Sequence, residues 1–365
     1  MVKKKEDSLK CIIVTQCYFA SPCTVKLRVL APISFRGHMR TLRSFALVAM
    51  VGSLPLPAYR SLLTAQSSGG LPVHAPINPI ATSRSGLYFQ PYVERHAGWH
   101  LAVSLDYANM IEGGESSKAK YLLDAEVGRL DFAASRDLGS RTFFLLNASA
   151  QTAGDGFLDR LLDWYHGLLG IPFPERDARP HNQFLYGMAL PDGRVILRDN
   201  SGAFLGDTRL GVGLRYNDRV QSLVSVTLPT TTGPRGYGRG AASISAIHTA
   251  RTDLTHGLIY EGSLGTGYTP KHGDLSAYQR ELFLSLTSGL RLQFWGPLSL
   301  YGNLFYHSPY YEGTTVTGMD RSELSFDYGG VFRSKGGREI KLGMTEDLRP
   351  AGPAVDLVFK FGAGW

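Results

Sequence analysis

From Gly98 onward, apolar and polar residues alternate along most of the chain. Trp99, Leu101, Val103, Leu105 and Tyr107 interleave with His100, Ala102, Ser104, Asp106 and Ala108. The same period recurs in Leu210, Val212, Leu214 and Tyr216 against Arg209, Gly211, Gly213 and Arg215, and in Val220, Val224, Val226 and Leu228 against Gln221, Ser225 and Thr227. Successive side chains of a strand point to opposite faces, so this period predicts strands with one apolar and one polar face. Length decides which kind of strand. Leu282, Leu284, Leu286, Leu290, Leu292 and Phe294 hold one parity over thirteen residues, longer than an ordinary globular strand, whereas a tilted membrane-crossing strand needs ~9–11. Further alternating runs follow at 298–306, 324–332 and 340–344.

The connections between these runs alternate in length. Short ones fall at 136–139, 217–218, 252–255, 295–297 and 334–337; long ones fall at 111–118, 152–206, 230–239, 267–277, 309–320 and 347–353. Short turns at one end and long loops at the other are the pattern of transmembrane barrels, and the intervals predict an all-β, closed antiparallel barrel of about 12 strands with a helix-bearing outer loop. The final strand places Val355, Leu357, Phe359, Phe361, Ala363 and Trp365 on one parity, with Asp356, Lys360, Gly362 and Gly364 on the other. A free strand edge at a chain end invites aggregation unless a neighbour covers it, and closure supplies that neighbour. The terminal aromatic resembles the ending of outer-membrane barrels, which the barrel assembly machinery reads.

Residues 152–206 form the longest connection. Phe157, Leu158, Leu161, Leu162, Tyr165, Leu168 and Leu169 recur at steps of three and four, which predicts an amphipathic helix over 155–169, capped by Asp155 and stopped at Gly170 and Pro172. The runs on either side of Pro191-Asp192-Gly193 predict a small hairpin. Its place on the long-loop side predicts that the helix caps the lumen.

The front of the chain has a different character. Residues 1–65 hold ten Lys or Arg against Glu6 and Asp7, a net of +8 in a chain whose total is +7, so the remainder is near neutral. The basic balance therefore implies no nucleic-acid partner. Cys11, Cys17 and Cys23 also lie there, leaving the strand region free of cysteine. Two arginines, an apolar run from Ser44 and small residues near Ala65 predict a signal peptide at 39–65. Residues 1–38 read as a spurious or removed extension, 66–97 as a Pro/Gly-rich segment that is periplasmic or lumenal, and 98–365 as the barrel.

The string Gly154-Asp155-Gly156-Phe157-Leu158-Asp159, then Trp164-Tyr165-His166, Gly170-Ile171-Pro172 and Arg176, resembles the signature of an uncharacterised bacterial outer-membrane β-barrel family, domain-of-unknown-function family 3187. Pro76-Ile77-Asn78-Pro79, Asp124-Ala125-Glu126 with Arg129, and Glu346-Asp347 with Pro353 to Asp356 support it, over roughly residue 72 to the end. The resemblance implies architecture and an outer-membrane location, and names no substrate.

With the apolar parity facing lipid, the polar parity lines the lumen. The candidate lumenal or binding residues are Asp124, Glu126, Arg129, Arg209, Arg215, Glu323 and Asp327, with a phase change near Gly128 that predicts a β-bulge. Asp155, Phe157, Asp159, Trp164 and His166 are the candidate residues of the helical cap. The histidines have no ligand spacing, so neither a metal nor another cofactor is expected. Partners expected are outer-membrane lipid, the assembly machinery and a small molecule of unknown identity. Passage or binding of that molecule is the leading function. A structural or surface-interaction barrel with a plugged lumen is the alternative. No catalytic residue is assigned, although pairing the strands around 230–239 sets Ser222 opposite His248 on the apolar parity, the start of a nucleophile and base for a lipid hydrolase.

Overall fold

The computed structural model describes residues 75–170, 179–255, 257–349 and 357–365. Twelve long antiparallel strands close on themselves: β1 (Trp99–Glu115), β2 (Lys120–Asp137), β3 (Thr142–Gly154), β7 (Thr208–Arg215), β8 (Val220–Leu228), β9 (Ser243–Thr255), β10 (Leu258–Tyr268), β11 (Leu282–Trp295), β12 (Leu298–His307), β13 (Glu323–Arg333), β14 (Glu339–Asp347) and β15 (Leu357–Gly364). Closure is made by β1 against β15, from Ala102 opposite Gly364 to Asn109 opposite Leu357. Leu101 and Trp365 add reciprocal backbone bonds of 2.9 Å, so the last residue is tied into the wall. Three short strands, β4 (Leu185–Ala189), β5 (Val195–Arg198) and β6 (Gly202–Leu205), extend the wall at the end where the loops are long. There β2 exchanges its neighbour: Glu126 to Asp137 pair with β3, and Lys120 to Asp124 pair with β4. The predicted hairpin is β4 with β5, turned at Gly193 with φ +85°.

The predicted loop at 111–118 is instead strand. β1 and β2 run for 17 and 18 residues and meet in a tight turn over 116–119, so this side of the wall stands far above β7 and β8, at 8 and 9 residues. The β1–β2 register is unbroken from Trp99 to Glu115, so the bulge expected near Gly128 does not exist. The outward parity elsewhere is apolar and exposed, as at Leu210, Val212, Leu286 and Leu290.

The lumen is filled along its length by residues 75–97. This inner segment includes one short helix, α1 (Pro79–Thr82), whose start is capped by Asn78 Oδ1 accepting from Ile80 N at 3.0 Å. From there it descends to the turn end. Asn78 Nδ2 donates to Glu112 at 2.8 Å near the loops, Thr249 Oγ1 donates to the Gln90 carbonyl at 2.9 Å midway, and Tyr92 Oη reaches the Asn217 carbonyl at 2.6 Å at a turn. Ile80, Leu87 and Phe89 are each 1% exposed. Removing each from water contributes about 1.5–3 kcal/mol, which holds an irregular segment without a β-ladder of its own.

The loop helix, α2 (Asp159–Leu169), lies outside the wall. Phe157 just before it stacks on the outward ring of Tyr107 at 5.5 Å between centroids, and Tyr165 Oη lies 3.3 Å from Glu346 Oε1 on the outward face of β14. The expectation of a cap over the lumen is therefore corrected. The inner segment already occupies the lumen, and the face of the helix bearing Leu158 and Leu162 finds its apolar cover on the exterior, where Leu357 is 2% exposed beneath the loop.

Candidate lumenal binding site

Five of the seven predicted lumenal residues point inward, and each holds something. Arg129 bridges Asp106 at 2.9 Å and Asp131 at 2.7 Å, and also donates to the Pro76 and Ala75 carbonyls of the inner segment. Arg215, 1% exposed, donates to the Val93 carbonyl at 2.7 Å, to the Glu94 carbonyl at 2.8 Å and to Asp137 at 2.7 Å. Glu323 accepts from Tyr310 Oη at 2.6 Å. Asp327, fully buried, has Lys341 and Lys360 each at 3.5 Å and Thr345 Oγ1 at 3.2 Å. Arg209 is the exception, because no carboxylate among the described residues pairs with it. Its Nε donates to Ser225 Oγ at 2.8 Å, Nη2 approaches Ser245 Oγ at 3.3 Å, and its guanidinium lies 3.8 Å from the ring centre of Tyr88.

Asp124 and Glu126 point outward, contrary to expectation. Unbroken pairing with β1 puts Val127 opposite Ala108 on the inward parity and Glu126 opposite Asn109 on the outward one. The reason is that the environments of the two faces exchange at this height. Inside, Tyr121, Leu123, Ala125 and Val127 belong to the same buried cluster as Ile77 and Ile80. Outside, the polar start of the α2 loop covers the wall, and apolar parity follows whichever face is dry.

On that outer face the two carboxylates organise the loop. Glu126 accepts from Tyr107 Oη at 2.7 Å, from Asn109 Nδ2 at 3.1 Å and from the backbone N–H of Leu158. The wall thus supplies the carboxylate that a helix start favours. Asp155, expected to cap, is exposed, and the residue preceding the helix, Leu158, makes no side-chain cap. Gly156 has φ +63°, and a Cβ there would stand 1.9 Å from Glu126 Cδ, which explains the second glycine of the motif. Asp159, 2% exposed, accepts from Asn109 Nδ2 at 2.6 Å and Asn182 N at 2.5 Å; Arg179 Nε lies 2.5 Å from Asp124. Trp164 and Phe157 are 63% and 67% exposed, while His166 is buried. These five residues share one exterior assembly and are absent from the lumen.

Sequence reading missed the contribution of Arg84 and Arg239. Arg84 sits on the inner segment, fully buried, and donates to the Thr269, Pro270 and Arg280 carbonyls at 3.0, 3.1 and 2.7 Å. Burial lowers its pKa below the ordinary guanidinium value. Arg239, in the loop after β8, pairs with Asp207 at 3.2 Å and donates to the Ser85 carbonyl at 2.5 Å. A buried residue on a segment without periodicity gives no pattern from which to be found. Between the inner segment and the wall of β2, β3, β7 and β8 a cavity of about 110 Å³ remains, lined by Tyr88, Arg129, Asn147, Gln151, Arg209 and Arg239 among others. Among the described residues no group of three or more His, Cys, Asp or Glu could hold a metal ion.

Ser222 and His248 do meet on the outward face, Oγ to Nδ1 at 2.7 Å, with the Tyr216 hydroxyl 3.1 Å from Oγ. No described carboxylate hydrogen-bonds the imidazole.

No curated protein matches the chain. Among solved structures it is similar to the COG4313 outer membrane channel from Pseudomonas putida F1, at 14% identity over 74% of this chain and 96% of that one, with a TM-score of 0.49. It is also similar to the Pseudomonas putida toluene transporter TodX, at 9% identity over 81% and 98% with a TM-score of 0.37, and to the KdgM porin, at 11% over 72% and 98% with a TM-score of 0.35. At such identities the likeness is one of fold. The family model described as protein of unknown function (DUF3187) matches residues 76–364, from the inner segment through the closing strand, and the chain belongs to that family.

Proposed function

We propose that this barrel resides in the outer membrane and binds and passes a small polar molecule through the interval between its inner segment and its wall. The membrane setting is supported by the exposed apolar outward parity and by aromatic residues bordering the turns, with Trp99, Tyr216, Trp295 and Trp365 each more than half exposed. A soluble protein rarely exposes so continuous an apolar surface. The same surface calls for outer-membrane lipid and the barrel assembly machinery as partners. The observation that carries the reading of passage is the polar cavity beside Arg209, because a lumen closed solely for stability gains most from filling such space. Full-length protein inserted into planar bilayers is expected to give stepwise conductance. Verified insertion with no current moves the assignment to a plugged structural barrel, which the neutralised sets around Arg129 and Asp327 would suit.

The Ser222–His248 contact favours a second reading, hydrolysis of lipid at the outer wall. Among the described residues it lacks a carboxylate to orient the imidazole, as a nucleophile and base pair ordinarily has. Release of fatty acid from phospholipid vesicles that disappears in Ser222→Ala would establish it, and no release by the wild type removes it.

A further inference from the structure

The cavity beside the inner segment has an unusual set of unused polar atoms. Among the described residues, Arg209, 5% exposed, keeps Nη1 without a hydrogen-bond partner, and Arg239 keeps Nε without one. Asn147, directly opposite Arg209 in the β3–β7 register, keeps its Oδ1 unpaired. All three side chains line this one cavity, whose two aspartates are already engaged, Asp131 by Arg129 and Asp207 by Arg239, which leaves Arg209 as the cation without a paired carboxylate among the described residues. Of the other buried lumenal cations, Arg129 is paired with two aspartates, Arg215 with Asp137, and Lys341 and Lys360 share Asp327, while Arg84 spends its N–H groups on three backbone carbonyls. An uncompensated buried guanidinium is costly, and its spare N–H groups form the strongest hydrogen bonds to an anion. A serine pair and the face of Tyr88 hold Arg209 in position without consuming its charge.

We propose that Arg209, Arg239 and Asn147 form a subsite for a small hydroxylated carboxylate. The two guanidinium N–H groups take the carboxylate oxygens, and Asn147 Oδ1 accepts from the hydroxyl. A plain inorganic anion leaves that acceptor unsatisfied, which is what selects a ligand carrying both groups. This deepens the reading of passage by naming the class of molecule held in the lumen, and it rests on that reading for the ligand's reason to be there.

The test is equilibrium dialysis of radiolabelled glycolate against full-length protein in detergent micelles, with acetate and chloride as competitors at matched ionic strength. Heat-modifiable mobility on a gel certifies folding of each variant. Wild type is expected to bind glycolate saturably and in preference to acetate. Arg209→Gln is expected to weaken glycolate about 10- to 100-fold. Asn147→Ala, which keeps every buried charge in place, is expected to abolish the preference for glycolate over acetate while leaving acetate unchanged. No saturable binding by the folded wild type, or an affinity unchanged in Arg209→Gln, overturns the site; equal affinity of the wild type for glycolate and acetate overturns the hydroxyl contact. Binding is read without a current. A barrel that binds and does not conduct keeps the site and loses passage, and a barrel that conducts without binding does the reverse.

Discussion

Two non-barrel segments of this chain cover the two sides of one wall, and they are fastened with opposite polarity. The inner segment, residues 75–97, is held by cations that seek its backbone oxygens: Arg129 takes the Pro76 and Ala75 carbonyls, Arg215 those of Val93 and Glu94, and Arg239 that of Ser85. The outer loop with α2 is held by carboxylates that accept from it: Glu126 takes the Leu158 N–H and Asp124 the Arg179 guanidinium. An extended segment running across a wall has carbonyls to spare, and a helix start has N–H groups to spare, so each is matched by the sign of charge that satisfies it. The difference teaches that the function of a charged wall residue is set by the backbone facing it.

Removing whole segments should separate the two most strongly. Deleting residues 75–93 is expected to raise single-channel conductance several-fold, since the lumen loses its filling. Deleting residues 155–182 is expected to leave conductance unchanged, because α2 lies on the exterior. A rise in the second deletion variant would return the helix to the lumen.

Single changes follow in decreasing size. Arg215→Ala strands two carbonyls and Asp137 in a buried place and should cost about 3–5 kcal/mol in urea unfolding from micelles, with new protease cleavage near Glu94. Gly156→Ala forces a side chain against Glu126 at positive φ and should cost about 1–3 kcal/mol, read as protease sensitivity of the α2 loop in a barrel that stays heat-modifiable. Glu126→Gln removes the charge at the helix start and should cost about 0.5–2 kcal/mol by the same readout.

The smallest effect is a dependence on pH. His96, near the turn end of the inner segment, is pushed below its ordinary pKa of 6.5, first by burial and also by Arg215 and Arg333, against the opposing pull of Glu94 and Asp137. Its depressed value means that the unfolded chain binds the proton more readily. Stability is then complete above pH 6.5 and declines as pH falls below it. The hydrogen-exchange protection factors of residues 93–97, taken relative to the intrinsic rate at each pH, should fall between pH 6.5 and 5, and His96→Gln should flatten that slope.

How much of this was legible in the sequence depended on whether one periodicity governed a stretch from end to end. Along β7 to β12 it did. Leu210 and Val212 face out while Arg209 and Arg215 face in, as the alternation predicts, and the β8–β9 register even sets Ser222 against His248. In β2 the period of two persists, yet the dry face changes sides between Val127 and Leu130. Read as a single preference, that change imitates a bulge and sends Asp124 and Glu126 to the wrong side. The helix was visible in Leu158, Leu161, Leu162 and Tyr165, but an apolar stripe says only that a surface lies beneath it. Arg84 and Arg239 were silent because irregular backbone has no period against which a charge can stand out.

The helix α2 rests on Glu126 of β2, Asn109 and Tyr107 of β1, and Glu346 of β14, with Leu357 of β15 buried below. Those strands flank the junction at which the two ends of the sheet meet. The cylinder is a hoop whose hydrogen-bonded joints all resist splitting, and this joint alone brings together strands from opposite ends of the described sheet, with no turn to link them. α2 is laid across it as a clasp, fastened on both sides. At the long-loop end of the joint the clasp adds its own contacts to the strand bonds between Tyr107–Phe359 and Asn109–Leu357, while among the described residues the turn end is held by the strands alone.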